Sequence, residues 1–568
     1  MNKIKEKALQ WCKSPFDIQT QKDVKFLFDH PDKLEEAFYK ELEFGTGGMR
    51  GIMGVGTNRI NKYTLGKATQ GLSSFLKSKF IEDKIKVVIA YDCRHNNELF
   101  SKIVSNVLLA NGIEVYMYSS LRTTPQLSYS VRYLNANCGI VLTASHNPPE
   151  YNGFKVYWKD GGQLVPPFDK ELMDEINSIS FDEILFKGLN DNLKIIDKEL
   201  DDAFIDTCTN LAIQDDIKSN NIKIVYTSLH GSSIVSIPEV LKRAGYKSLI
   251  IVNEQAKPDG GFPTVKSPNP EEPEALKMAI DIAKVENADV VIGTDPDSDR
   301  LGVAVKNKKE KFTILNGNQT MLIMAHFLLS KRKEKGLIDS KDYIASTIVS
   351  SSIMKKVANR FGIKYLTTLT GFKWIGKEIE ERKDQNFIFG GEESCGYLIG
   401  NKIRDKDAVT SALLICEIVA VLKAKGKTLY DYMIECYKLY GPHKERLISY
   451  KLDGISGEKK IKEMMKNFRN NPPKKINNQS IYFIEDYLNS SKTDVNTKIK
   501  YEISLPESDV IIFTLKDNSN IAIRPSGTEP KIKFYFGVNS KNFKNNDWEL
   551  TEKELDKKID SIIFDLNL

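Results

Sequence analysis

A supersecondary pattern that occurs three times constrains this chain more than any other feature. Lys86–Tyr118 reads KVVIAYD, then a helical stretch, then NGIEVYMY. Ile222–Val252 reads IKIVYTS, a loop, then PEVLKRAGYKSLIIV, and Tyr343–Leu369 reads YIASTIV, SSSIMKKVANR, FGIKYLTTL. Each unit has a β-branched strand, a helix, a glycine (Gly112, Gly245 or Gly362) and a second strand. The glycine suits the end of the helix, where a left-handed residue is needed. A strand–helix–strand unit implies a parallel crossover. Three such units, whose starts lie more than 100 residues apart, predict three α/β domains of similar design. The last stretch differs. A Pro-, Asn- and Lys-rich loop around Pro472–Lys475 precedes the short runs SIYFI, DVIIFTL, NIAIRP and KIKFYFGV and a final helix, Asp547–Phe564. That pattern predicts an α+β domain with an antiparallel sheet.

Length and composition agree with this division. At about 100–200 residues per domain, 568 residues make three to five domains. Lys+Arg 82 against Asp+Glu 76 leaves +6, too little basic bulk for nucleic acid to grip. The basic run 457–475 carries Glu458 and Glu463 and few aromatics to stack bases, and reads as a solvated helix face and loop. The seven cysteines are scattered, without a C-x-x-C, which argues against a disulfide framework or zinc knuckle and fits a reducing, cytoplasmic setting. The opening MNKIKEKALQWCKS lacks the apolar core of a signal peptide. Ala408–Leu422, the longest apolar region, is interrupted by Thr410, Ser411 and Glu417 and reads as a buried helix, since a membrane span needs about 20 apolar residues.

Five loops carry residue types that do chemistry. Thr143–Pro149, TASHNPP, follows the strand CGIVL, and ligands gather at the carboxyl ends of strands in α/β sheets. Ser145 stands where a nucleophile could sit, although a capping serine has the same local sequence. Lys155 lies ten residues on, at the start of another strand, as a surface charge, an acid/base or a phosphate contact. The loop TDPDSDR alternates Asp295, Asp297 and Asp299, whose carboxylates repel unless a cation neutralises them. Hard oxygen ligands suit Mg²⁺ or Ca²⁺, but Arg300 and Lys306 at the sixth and twelfth positions exclude an EF-hand. Arg300 could stabilise a phosphate held there. GGEESCG offers Glu392, Glu393 and Ser394 to sugar hydroxyls, as an exposed acidic turn also would. RPSGTEPKIK presents Arg524, Ser526, Gly527 and Thr528 as a phosphate nest, with a tight hairpin as the competing reading. FGTGGMRGIMGVGTNR matches no nucleotide-fold motif, yet Arg50 between glycines could reach into a site. Lys373 in TGFKW follows a strand, where a lone lysine is usually a surface residue. Together these loops point to metal-dependent handling of a phosphorylated polar small molecule in a cleft between domains.

The combination resembles the α-D-phosphohexomutase superfamily, the phosphoglucomutases and phosphomannomutases. Its active-serine, metal, sugar and phosphate loops are matched, in order, by Thr143–Pro148, Asp295–Arg300, Gly391–Ser394 and Arg524–Thr528. The opening LQWCKS…LEEAFYKELEFGTGGMRG is similar to the longer branch, which includes phosphoglucomutase-2-like and phosphopentomutase-type enzymes. The resemblance implies three mixed α/β domains around a central cleft and a smaller C-terminal domain. The expected divisions are a helical extension over 1–40 and domains at 41–205, 206–315, 316–440 and 441–568. It implies that Ser145 carries a phosphoryl group, with Mg²⁺ held by that phosphate and by Asp295, Asp297 and Asp299. The phosphoserine would pass its phosphoryl to a hexose monophosphate, and glucose 1,6-bisphosphate or its equivalent would act as activator. His146, Arg50, Arg300 and Lys155 match positions beside the serine, with Lys155 as general acid/base. Glu392 and Ser394 would bind sugar hydroxyls, and Arg524, Ser526, Gly527 and Thr528 the non-transferred phosphate. Lys406 and Lys373 match further substrate positions.

Two departures bear on substrate. GEESCG, where the phosphomannomutase/phosphoglucomutase branch commonly has GEMSGH, leans toward glucose phosphate without excluding mannose or pentose phosphates. Phe372 stands where many relatives have His. The alternatives are a phosphopentomutase, a phosphatase acting through phospho-Ser145, and a non-catalytic sugar-phosphate-binding protein. Closure of a mobile fourth domain would exclude water and favour the mutase, and the loop-rich connection near Pro472 is compatible with a joint for such motion. The expected partners are small-molecule sugar phosphates, with no nucleic acid, membrane or obligatory protein partner.

Overall fold

The computed structural model describes residues 2–45, 47–81, 84–188, 190–211, 222–452, 454–526, 531–540, 543 and 547–568. All three repeated units form. In each, two strands pair in parallel: Lys86–Tyr91 with Glu114–Met117, Lys223–Thr227 with Ser248–Ile251, and Asp342–Thr347 with Lys364–Thr368. Gly112, Gly245 and Gly362 end the intervening helices at φ 76, 89 and 69, conformations that a Cβ would strain.

The three α/β sheets share a second device. A strand paired in parallel on one side turns back into an antiparallel neighbour on the other. Cys138–Leu142 runs parallel to Lys86–Tyr91 and antiparallel to Tyr151–Trp158. Val290–Thr294 is parallel to Lys223–Thr227 and antiparallel to Leu301–Lys306, and Asn386–Glu392 is parallel to Asp342–Thr347 and antiparallel to Gly396–Ile399. The connections across these switches are the serine, aspartate and GEESC loops, one per sheet. Three loops of different sequence therefore occupy one structural position.

The fourth sheet is eight-stranded and antiparallel. It contains the expected strands as Gln479–Asp486, Ile511–Leu515, Asn520–Pro525 and Lys531–Asn539, and the closing helix as Trp548–Asp565, capped by Asp547. Sequence reading missed His443–Lys451, which pairs with Lys531–Asn539 along its whole length, and the strands Ser491–Asp494 and Lys500–Glu502. Their charged residues hid the alternation, as on exposed edge strands. Pro472 lies between a helix and a strand of this same unit, so it is not the joint expected there; the chain enters the sheet at Gly441–His443.

Three helices, Asn2–Gln10, Ile18–Leu27 and Pro31–Phe38, open the chain. They close around Trp11, which stacks on Phe16 at 4.3 Å and meets Phe38 and Tyr63 edge-on. Tyr63 belongs to the helix Lys62–Lys79, so this cluster fastens the extension to the first sheet's layer. The helix Ala408–Lys423 is buried from Ala408 to Leu422 and packs on helices of both the second and third units. Among the described residues no helix is long and apolar enough to cross a membrane.

Candidate active site

The four loops meet at one cavity of about 750 Å³, lined from every sheet. Ser145, 1% exposed, has φ 53, the left-handed region. Its N–H donates to Thr143 Oγ1 at 2.8 Å, and the Thr143 hydroxyl donates to Asp92 Oδ2 at 2.5 Å. This turn aims the Ser145 hydroxyl at Asp295, where Oγ donates to Oδ2 at 2.6 Å, with His146 Nδ1 3.1 Å away. Ser145 and the acidic loop, 150 residues apart in sequence, are thus in direct contact.

The aspartate loop folds on itself. Asp295 Oδ1 accepts the backbone N–H groups of Asp299 and Arg300 at 3.1 and 3.0 Å. The three buried carboxylates offer oxygens within 4.8 Å of one another. Burial, then the charges of Asp297 and Asp299, pushes the Asp295 carboxyl well above the usual carboxylate range. Burial acts the same way on the other two, but Lys155 beside Asp297, and Lys406 and Lys155 beside Asp299, reverse the sign and hold both below it. Asp297 Oδ1 and Asp299 Oδ1 are buried and accept no hydrogen bond. Buried orphan carboxylate oxygens of this kind are what a hard divalent cation satisfies.

Lys155 lies in the middle of Tyr151–Trp158, opposite Val141, and not at the strand's start as the sequence suggests. Strand alternation sends Phe154 and Val156 into the first unit's core, while Lys155 and Tyr157 face the other way. Lys155 Nζ donates to Asp297 Oδ2 at 2.6 Å and to Asp299 Oδ2 at 3.3 Å. Burial would discharge this lysine, but the two aspartates raise its pKa, so it carries its proton. Lys406 Nζ lies 3.0 Å from Asp299 Oδ2. His146 is driven the other way: burial, then Arg300 and Arg50, hold the imidazole well below its ordinary value, and it is neutral.

Around the cavity, Arg50 Nη1 donates to Asn147 Oδ1 at 3.4 Å, and Arg300 pairs with Glu271. Glu392 accepts the Gly371 N–H at 2.9 Å, and burial raises its carboxyl to about 7 against the opposing charge of Lys406. Ser394, Arg524 and Ser526 line the wall. Gly527 and Thr528 lie outside the described residues. Lys373 does not join this group: its ammonium pairs with Asp169 Oδ2 at 3.2 Å beside a separate small crevice.

The matches to known proteins agree with this geometry. The family model "Phosphoglucomutase/phosphomannomutase, alpha/beta/alpha domain I" matches residues 41–183, and those for domains II and III match 202–309 and 316–440. A Staphylococcus aureus phosphoglucomutase is 37% identical over 551 residues, 95% of this chain and 96% of its own. The chain belongs to the phosphoglucomutase/phosphomannomutase family. In fold, this family member is similar to the open form of Paramecium parafusin, a phosphoglucomutase (TM-score 0.68, 20% identity, covering 93% of this chain and 96% of that one). A Thermus thermophilus putative phosphomannomutase gives a TM-score of 0.67 at 21% identity, covering 91% and 99%.

Several residues of the family member's site escaped sequence reading. Thr124 donates its hydroxyl to Asp297 Oδ2 at 3.0 Å, and Glu271 holds Arg300. Asp405 accepts from Tyr157 at 2.6 Å and Gln163 at 2.7 Å, which seats the segment that carries Lys406. Lys533 lines the cavity, its pKa depressed by burial and then by Arg300 and Arg524. Of these, Lys533 lay within a motif already singled out and Asp405 beside the singled-out Lys406; Thr124 and Glu271 sit in stretches of ordinary local sequence.

Proposed function

We propose that this phosphohexomutase interconverts hexose 1-phosphate and hexose 6-phosphate, with glucose favoured, through a phosphorylated Ser145 and a bisphosphosugar. The observation that carries the reading is the Ser145 hydroxyl seated 2.6 Å from Asp295 beneath a cavity whose walls offer both carboxylate and cationic groups. Asp295, Asp297 and Asp299 fit Mg²⁺, and phospho-Ser145 would be a further ligand. When bound, Mg²⁺ supplies neutralisation of the charge on the transferring phosphoryl group.

The chain's own groups divide the remaining work. Arg524, Ser526 and Lys533 hold the phosphate that is not transferred, and Glu392 and Ser394 hydrogen-bond the sugar hydroxyls. The acceptor hydroxyl then faces phospho-Ser145. Its oxygen bonds to phosphorus as the bond from phosphorus to Ser145 Oγ breaks, and the hydroxyl proton passes to a phosphoryl oxygen. Lys155, held protonated by two aspartates, delivers a proton as charge develops on the departing serine oxygen. The bisphosphosugar turns over and presents its other phosphate. Lys155, now short of a proton, takes one back as Ser145 attacks that phosphate, and the proton held by the bisphosphate passes to the departing sugar oxygen as its bond to phosphorus breaks. Neutral His146 and the cations Arg50 and Arg300 line the reacting end. A free Ser145 is loaded by glucose 1,6-bisphosphate.

The test is isomerisation of glucose 1-phosphate, mannose 1-phosphate and ribose 1-phosphate, each alone, with Mg²⁺ and a trace of glucose 1,6-bisphosphate. Glucose 6-phosphate is expected as the fastest product, and release of inorganic phosphate alone would establish the phosphatase instead. Ser145→Ala abolishes turnover, by more than about a thousandfold, while circular dichroism stays unchanged. Undiminished activity in that variant refutes the phosphoserine route.

A further inference from the structure

Against the serine loop, and not among the residues that line the cavity, lies a buried charge that the mechanism above does not use. Arg94, 3% exposed, follows the strand Lys86–Tyr91. Its guanidinium donates to four backbone carbonyls of a single loop. Nη2 reaches the carbonyls of Ser145, at 2.7 Å, and Asn147; Nη1 reaches those of Pro148 and Tyr151, both at 2.8 Å. The counter-charge is Asp92, whose Oδ2 lies 3.7 Å from Nε. That same carboxylate oxygen accepts the Thr143 hydroxyl, which in turn accepts the Ser145 N–H. Ser145 is therefore gripped at both ends, its N–H through Thr143 and its C=O by Arg94. Its left-handed backbone, strained for a non-glycine residue, is held by these two contacts.

A second unit covers this clamp. Phe262 is 1% exposed, has φ 48, and lies with its ring centroid 5.3 Å from the Arg94 guanidinium carbon. Beside it, Gly260 comes so close to the first unit that a Cβ there would stand 2.5 Å from His95 N and 2.8 Å from Cys93 O. The segment containing Phe262 belongs to the same unit as the aspartate loop. One contact thus ties the backbone that carries the nucleophile to the unit that carries its metal-binding carboxylates. Structural filling alone does not call for a buried guanidinium, since an apolar side chain of similar volume serves stability as well. Only a planar fork with five donors can hold four carbonyls at once; a lysine cannot.

We propose that Arg94 is a positioning residue for phosphoryl transfer at Ser145, and that Phe262 is its cap from the neighbouring unit. The inference rests on the mutase reading, and its test separates the two. In Arg94→Lys, kcat for glucose 1-phosphate isomerisation falls about 100-fold, as for a nucleophile displaced by about 1 Å. KM stays within about threefold, because the groups that bind sugar and distal phosphate are untouched. Hydrogen exchange of the amides in 144–152 quickens at least about tenfold, while the remaining strand residues of the first sheet keep their protection. Phe262→Leu, which keeps the apolar volume and removes the π face, lowers kcat about tenfold with the same local signature. In Arg94→Ala, millimolar guanidinium ion restores part of kcat and addition of ammonium ion does not. A folded Arg94→Lys protein with wild-type kcat overturns the proposal, as does a loss confined to KM or faster exchange across the whole unit. Should Arg94→Lys fail to fold, Phe262→Leu decides by the same readouts. Should the wild-type protein isomerise no hexose phosphate, the mutase reading falls, and local exchange at 144–152 still decides whether the clamp exists.

Discussion

Gly317→Ala is the sharpest test of how the GEESC loop is held. Gly317 opens the helix Gly317–Glu334, whose apolar residues, among them Met321, Leu322 and Ala325, are packed in the largest core. A Cβ on Gly317 would stand 2.0 Å from Glu393 O, 2.6 Å from Glu393 C and 2.8 Å from Cys395 N. These are backbone atoms, so no rotamer change relieves the clash. The helix is fixed by its core packing, which leaves the loop to move. Bringing the nearest contact from 2.0 to 3.0 Å requires about 1 Å of retreat. Glu392 and Ser394, the groups assigned to sugar hydroxyls, travel with it. Misplacement by about 1 Å costs about 100-fold in rate, or about 2.7 kcal/mol of transition-state stabilisation. Stability falls as well, by about 1–3 kcal/mol for an overpacked site. The assay is steady-state isomerisation of glucose 1-phosphate beside a thermal melt. Gly336→Ala is the control: at φ 68 with nothing within 4 Å of its Cβ, it loses about 1 kcal/mol of stability and keeps kcat/KM. Wild-type kcat/KM in Gly317→Ala would refute the reasoning, because the loop would then not depend on that close approach.

Three further outcomes follow from the site. Glu392 has a folded-state value of about 7, raised by burial, so its carboxylate is lost as pH falls through neutrality and kcat/KM falls on that acid limb; Glu392→Gln abolishes the limb and lowers the plateau. The sign for stability is opposite: a raised carboxyl favours the folded state most below its ordinary pKa, and that contribution disappears as pH rises through 7, so the thermal midpoint of unliganded Glu392→Gln changes less over this range than that of the wild type. Chelation of divalent metal stops turnover, and Mg²⁺ at 100 times its Kd raises the unfolding free energy by about 2.7 kcal/mol, an increment that Asp297→Asn lacks in a melt with and without Mg²⁺. Lys373→Ala changes kcat/KM by less than about twofold, since its partner is Asp169 and a partly exposed pair contributes at most about 1 kcal/mol; a large rise in KM would return Lys373 to the substrate site.

The sequence alone determined what is local. Strand–helix–glycine–strand units are written in residue propensity and period over about 30 residues, and all three form as read. The residue types in the serine, aspartate and GEESC loops marked them as candidates, although a capping serine or an exposed acidic turn has the same local sequence. Tertiary structure decided which of these groups meet. Ser145 touches Asp295 and Lys155 touches Asp297 because three sheets share one switch from parallel to antiparallel pairing, and no short window of sequence encodes that packing. The same packing set the charge states, keeping Lys155 protonated and His146 neutral through neighbours drawn from other units. It also turned Lys373 to Asp169, brought Glu271 to Arg300, and laid Phe262 over Arg94. Each of these pairs joins segments distant in sequence. A lysine, a glutamate or a phenylalanine in an ordinary stretch has no local mark of its partner, because the partner is selected by burial and distance in the folded chain.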